Sequence, residues 1–167
     1  PMHLRGDPEK PGEEVPRRWL AVFGGEVVPA DAGSGRQQLG NWITQQPLAA
    51  RVMANRIWQW HFGSGLVRSP NDLGARGETP THPELLDWLA AEFVQPTVGN
   101  DSAAPWSLKH LHRLIVTSAT YRQASEGRKD GLALDASARL LWRFPPRRLE
   151  AEPLRDSILA VSGRLDL

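Results

Sequence analysis

The sequence contains no cysteine, which excludes disulfides, thiolate metal sites, a cysteine nucleophile and covalent haem attachment from this segment. It has no apolar run of about 18 residues, so no membrane-spanning helix is expected. Charge of one sign is never concentrated. The 20 Lys and Arg stand among 19 Asp and Glu, giving a net charge of +1, so bulk charge offers nucleic acid or acidic membranes no footprint. Lysine is itself scarce: 17 of the 20 basic residues are Arg, the side chain suited to bidentate pairing with carboxylates inside a fold. There is no internal repeat and no period-2 alternation of strand length, which argues against a sheet. No charged-then-apolar signal segment opens the sequence. It begins at Pro1 and reads as a piece of a longer protein.

What is present is helical. The length of 167 residues and 40% hydrophobic content predict one globular domain over 1–167, all-α, with four to six helices around a buried central helix and long ordered loops. Residues 1–18, rich in Pro and Gly, form an extended lead-in. Within it Arg5-Gly6-Asp7 resembles the integrin-binding tripeptide but fits an ordinary Asp-Pro turn. Residues 19–28 form a short apolar segment of undecided type, and Leu39, Trp42 and Ile43 predict a short helix ending before Pro47.

The central helix is Pro47–Gly63. Its apolar residues cover nearly the whole circumference, so it belongs in the middle of a packed domain. Arg51, Asn55 and Gln59 form a polar wedge at four-residue steps, with Arg56 on the flank. The loop over 64–80 is long enough to be functional. A helix over Thr81–Gln95 is predicted to start with a Thr81/Glu84 capping box and to bury Leu85, Leu86, Trp88, Leu89 and Phe93. A loop covers 96–105. Ser107 is expected to cap a helix through Gln123 with Leu108, Leu111, Leu114, Ile115 and Ala119 inward. Asp135 is expected to cap a short helix through Trp142, and a last helix runs from about Leu149 to Ser162.

Candidate binding residues are Arg51, Asn55, Arg56 and Gln59 on the central helix, with Asp72, Arg76, His82 and Glu84 in or beside the loop. Donors spaced along one helix face can converge on an anion, but the same residues can brace the loop through internal acids such as Asp72, Glu84 and Asp87, and bracing is the preferred reading. For metal, His82 with Glu84 or His61 with Asp72 are the pairs considered. No helical His-x-x-x-His occurs, and His110 and His112 lie about 200° apart on a helix. The reading is no metal site and no cofactor in this segment. No catalytic residue is assigned: no nucleophile elbow, phosphate loop or diagnostic carboxylate pair is present. The seven Trp are read as core, with Trp60 and Trp106 the exceptions to inspect.

The run PLAARVMANRIWQWHFGSGLVRSPNDLGARGETPTHPELLDWLAAEFV, then WSLKHLHRLIVTSATYRQ, then RLLWRFPPRRLEAEPLRDSILAVSGRLD, closely resembles the planctomycete-type PSD domain, catalogued as a domain of unknown function (DUF1553 type). The lead-in and SGRQQLGNWI also resemble the family's upstream part. The resemblance implies context more than chemistry. It suggests the C-terminal part of an exported bacterial multidomain protein, extracytoplasmic and associated with cytochrome-c-like domains that would carry any haem, with the domain cut before its C-terminal end. The partners it implies are other domains of the same polypeptide, with no nucleic acid and the oligomeric state unspecified. The preferred function is a structural or interaction module. The alternative is a catalytic domain acting on polysaccharide, with its site between the central helix and loop 64–80.

Overall fold

The computed structural model describes residues 2–99 and 103–166; residues 100–102, within the loop expected over 96–105, and the extreme C-terminal residue lie outside them. The all-α expectation is met: the described residues form seven α-helices, two short 3-10 turns and isolated β-bridges, with no β-strand among them. The chain divides into two compact units, Pro1–Ala49 and Ala50–Leu167.

In the first unit, 3-10 turns at Leu4–Gly6 and Ala21–Phe23 precede helix α1, Arg36–Gln45. Asp7 Oδ1 accepts the Glu9 amide at 3.0 Å, the Asx turn that the Asp-Pro sequence favours. Trp19 stacks on Trp42 with ring centroids 5.4 Å apart, and Phe23 meets Trp42 edge-on. Gln46 is extended, as the residue before a proline must usually be.

The second unit holds α2 (Pro47–Phe62), whose first turn contains the unit boundary, then α3 (Pro83–Val94), α4 (Leu108–Thr117), α5 (Ala119–Arg122), α6 (Lys129–Leu134) and α7 (Ala151–Val161). The core joins Ala50, Ala54, Ile57, Trp58 and Phe62 of α2 to Leu66 and Val67 of the loop, Leu86, Leu89, Ala90 and Phe93 of α3, and Leu111 and Ile115 of α4. Each large apolar side chain among them contributes about 1.5–3 kcal/mol by leaving water.

Several local expectations are corrected. The capping box does not form: α3 begins at Pro83 and its N-cap is His82, which makes no side-chain cap bond. Thr81 instead gives its amide to the Leu66 carbonyl at 3.0 Å, so a tertiary bond outcompetes the local one. The helix expected over 107–123 breaks at Ser118, whose backbone is extended and whose hydroxyl accepts the Tyr121 amide to start α5. Ser107 does cap α4, through the His110 amide. Leu108 and Ala119 are exposed, as are Trp88 and Trp60, whereas Trp106 packs edge-on against Phe93.

No helix starts at Asp135. It lies at the C-cap of α6, and the chain from there to Trp142 is a series of turns. Trp142 decides this arrangement. Its indole N–H donates to the Asp135 carbonyl at 2.8 Å, and its ring lies so close to Gly131 that a Cβ there would meet ring carbons at 2.7 Å. The Leu140 amide, donating to the Asp135 carboxylate, holds that carboxyl below its usual range despite the opposing effect of burial. Ala138 and Leu141 adopt left-handed φ values of 54° and 59°, a strained choice for non-glycine residues.

Candidate functional site

Asn55 is the centre of the polar wedge and is completely buried. Its amide nitrogen donates to the Val67 carbonyl and its amide oxygen accepts the Val67 amide, both at 2.9 Å. One side chain therefore satisfies both backbone groups of a buried loop residue, as an adjacent strand would. Gly65 makes room for it: a Cβ at that position would lie 2.8 Å from both polar atoms of Asn55.

The other wedge and loop residues disperse. Arg51 Nε lies 3.1 Å from Asp87 Oδ1, a solvent-exposed ion pair of small energetic weight. Arg56 donates to the Asn71 side-chain oxygen at 3.2 Å, tying the loop to α2. Gln59 is half-buried, and its backbone carbonyl accepts the Gly63 amide. Asp72 shapes the loop, accepting the Gly74 amide on its carboxylate and the Ser69 hydroxyl on its backbone carbonyl. Arg76 and Glu84 are exposed. His82 Nδ1 lies 3.0 Å from the Thr81 hydroxyl oxygen. Arg51, Asn55 and Arg56 thus tie α2 to α3 and the loop, Asp72 shapes the loop and His82 meets its neighbour Thr81, and the eight candidates do not meet around one point.

A cavity of about 80 Å³ opens beside this brace. Trp58, Phe62, Leu66, Leu141 and Pro145 form its apolar floor, and Ser64, Arg68, Thr81, Ser137 and Arg139 its polar rim. Trp58 and Phe62 stack with centroids 4.2 Å apart, and Arg139 reaches Glu78 at 3.3 Å. None of the eight sequence candidates lines it.

Two constellations escaped the sequence reading. Glu92 is buried in α3. Its Oε1 accepts the Thr97 amide, the Val98 amide and His110 Nε2, each at 2.8 Å. Oε2 accepts the Thr97 amide and hydroxyl. Burial pushes the carboxyl upward, but the hydrogen bonds from Val98, Thr97 and His110 outweigh it and bring it down to about 2. A sequence signal existed: Glu92 falls three residues after Leu89 and seven after Leu85, on the apolar stripe of its own helix.

The second constellation is a pair of imidazoles. His61 at the end of α2 and His112 on α4 face each other with Nε2 and Nδ1 2.7 Å apart, beside Tyr121. Burial, followed by the charges of His112 and Arg147, holds His61 below the usual imidazole range. Fifty-one residues separate the two, and nothing in their local sequence announces the meeting. His110 and His112 do leave α4 in different directions, one to Glu92 and the other to His61. Among the described residues no group of three or more His, Asp or Glu is placed to hold a metal ion, and no helix is long and apolar enough to cross a membrane.

The family model for PSD1, proteins of unknown function (DUF1553), matches residues 35–167. The chain belongs to the PSD1 family. The match starts one residue before α1 and takes in the seven helices of the described residues of this PSD1 chain, including the Asn55 brace, the cavity and both histidine constellations. No curated protein and no solved structure matches it.

Proposed function

We propose that this PSD1 chain is a non-catalytic interaction module of an exported multidomain protein, docking through α7 onto another domain of the same polypeptide, with cytochrome-c-like domains as the context that the resemblance implies. The observation that carries the reading is the state of α7. Leu154, Ile158 and Val161 recur at helical spacing on it, yet they are 50%, 61% and 92% exposed, and no residue of the helix is buried. An amphipathic helix is not stable on propensity alone at 11 residues, and its apolar stripe is normally covered. The use of Arg51, Asn55 and Arg56 to tie α2 to α3 and the loop supports the same view, because these side chains serve the fold.

The alternative of a polysaccharide-directed catalyst draws on the cavity beside the first residues of loop 64–80. Its aromatic residues, Trp58 and Phe62, are almost fully buried and stack on each other, and glycosidic cleavage ordinarily employs a pair of carboxylates, of which the lining residues include none. Hydrogen exchange at residues 151–161 compares the two states directly. In the parent polypeptide these amides are expected to exchange roughly tenfold or more slowly than in the isolated chain, reflecting coverage of α7. Equal exchange in both would refute docking through this helix.

A further inference from the structure

We infer that His61 and His112 form a two-imidazole seat for one divalent late first-row transition ion, with Cu²⁺ the tightest. The geometry points to this from the two facing nitrogens, His61 Nε2 and His112 Nδ1, 2.7 Å apart on two different helices. Two nitrogens bound in cis positions at metal–nitrogen distances of about 2.0 Å lie about 2.9 Å apart, so the pair needs to open by only a few tenths of an ångström. Both rings are half-buried, which leaves the remaining coordination positions to water. The ring centroids are 4.9 Å apart, so the two nitrogens point at each other, and each ring swings by about 45° to bring its lone pair onto a shared ion in cis positions.

No net proton change is required. A short bond between two imidazole nitrogens holds one hydrogen, and metal entry moves that hydrogen to the far nitrogen of the same ring. His61 then ligates through Nε2 with its hydrogen on Nδ1, and His112 through Nδ1 with its hydrogen on Nε2. Imidazole pairs prefer copper, nickel and zinc over the harder alkaline-earth ions. The Arg147 guanidinium, held nearby by its bond to the Trp60 carbonyl at 3.1 Å, repels a dication and makes this a weaker seat than a three-ligand one.

Calorimetric titration of the whole chain with CuCl2, NiCl2 and ZnCl2, in a non-coordinating buffer, tests the assignment. One ion per chain is expected, with Cu²⁺ tightest. His61→Gln and His112→Gln should each weaken Cu²⁺ by roughly tenfold or more, and His82→Gln should change nothing. Arg147→Gln should tighten binding, by roughly threefold at low salt. Because a histidine variant can disturb packing, amide spectra of the unmodified chain with substoichiometric Cu²⁺ supply a second reading: paramagnetic broadening should centre on residues 61 and 112. Absence of stoichiometric binding, broadening centred on His3 or His82, or undiminished affinity in both single-histidine variants would overturn the proposal.

Discussion

Replacing Asn55 with alanine is expected to lower the stability of the chain by about 3–4 kcal/mol, since it strands a buried amide and a buried carbonyl of Val67 at once. Val67 is 3% exposed, so water cannot replace the lost side chain without opening the loop. A drop of that size corresponds to roughly 10 °C in Tm. Arg51→Ala, which breaks only the exposed pair with Asp87, is the comparison, and it should cost no more than about 1 kcal/mol. Thermal and urea unfolding of the two variants side by side checks the contrast. If the two losses are equal, Asn55 is not the strut of the loop.

Glu92→Gln carries the second large effect, about 3 kcal/mol at pH 7 from hydrogen bonds to a charged acceptor. The amide cannot be oriented to avoid the conflict. Both carboxylate oxygens accept backbone or side-chain donors of Thr97, and one also accepts from Val98 and His110. In either orientation the new NH2 group therefore faces a backbone N–H. The loss should also depend on pH. The folded carboxyl, at about 2, lies below its ordinary 4.5. The unfolded chain therefore binds more protons between those values, and stability rises with pH across the window. Glu92's contribution is complete above about pH 4.5 and disappears as pH falls through 2. Urea unfolding at pH 7, 4 and 3 should show wild type and Glu92→Gln converging toward acid. Curves that stay parallel would mean that the carboxylate charge is not what the loop at Thr97–Val98 uses.

The extents of α2 and α3 were legible in the sequence because their apolar residues recur with helical period over 12 residues or more and Pro and Gly punctuate their ends. The break at Ser118 and the displacement of the expected 135–142 helix to 129–134 were not. The first is made by local bonds of the Ser118 hydroxyl, which accepts the Tyr121 amide and donates to the Ile115 carbonyl, and the second by Trp142 against Gly131 and Asp135; neither leaves a mark on the apolar periodicity. The same distinction holds for the site. Asn55 stood out as a polar residue on an apolar helix, which is a one-dimensional signal. Its partner Val67 and the space provided by Gly65 required the fold. His61 with His112 is the extreme case, a juxtaposition created wholly by packing α4 in the same unit as α2.

The role of the central polar wedge turns on whether Asn55 replaces a backbone partner for Val67. Hydrogen exchange of the single Val67 amide measures this most directly. The bond from that amide to Asn55 predicts protection close to that of the core amides of α2, lost selectively in Asn55→Ala. A Val67 amide exchanging as fast as its exposed loop neighbours in the unmodified chain would contradict the brace.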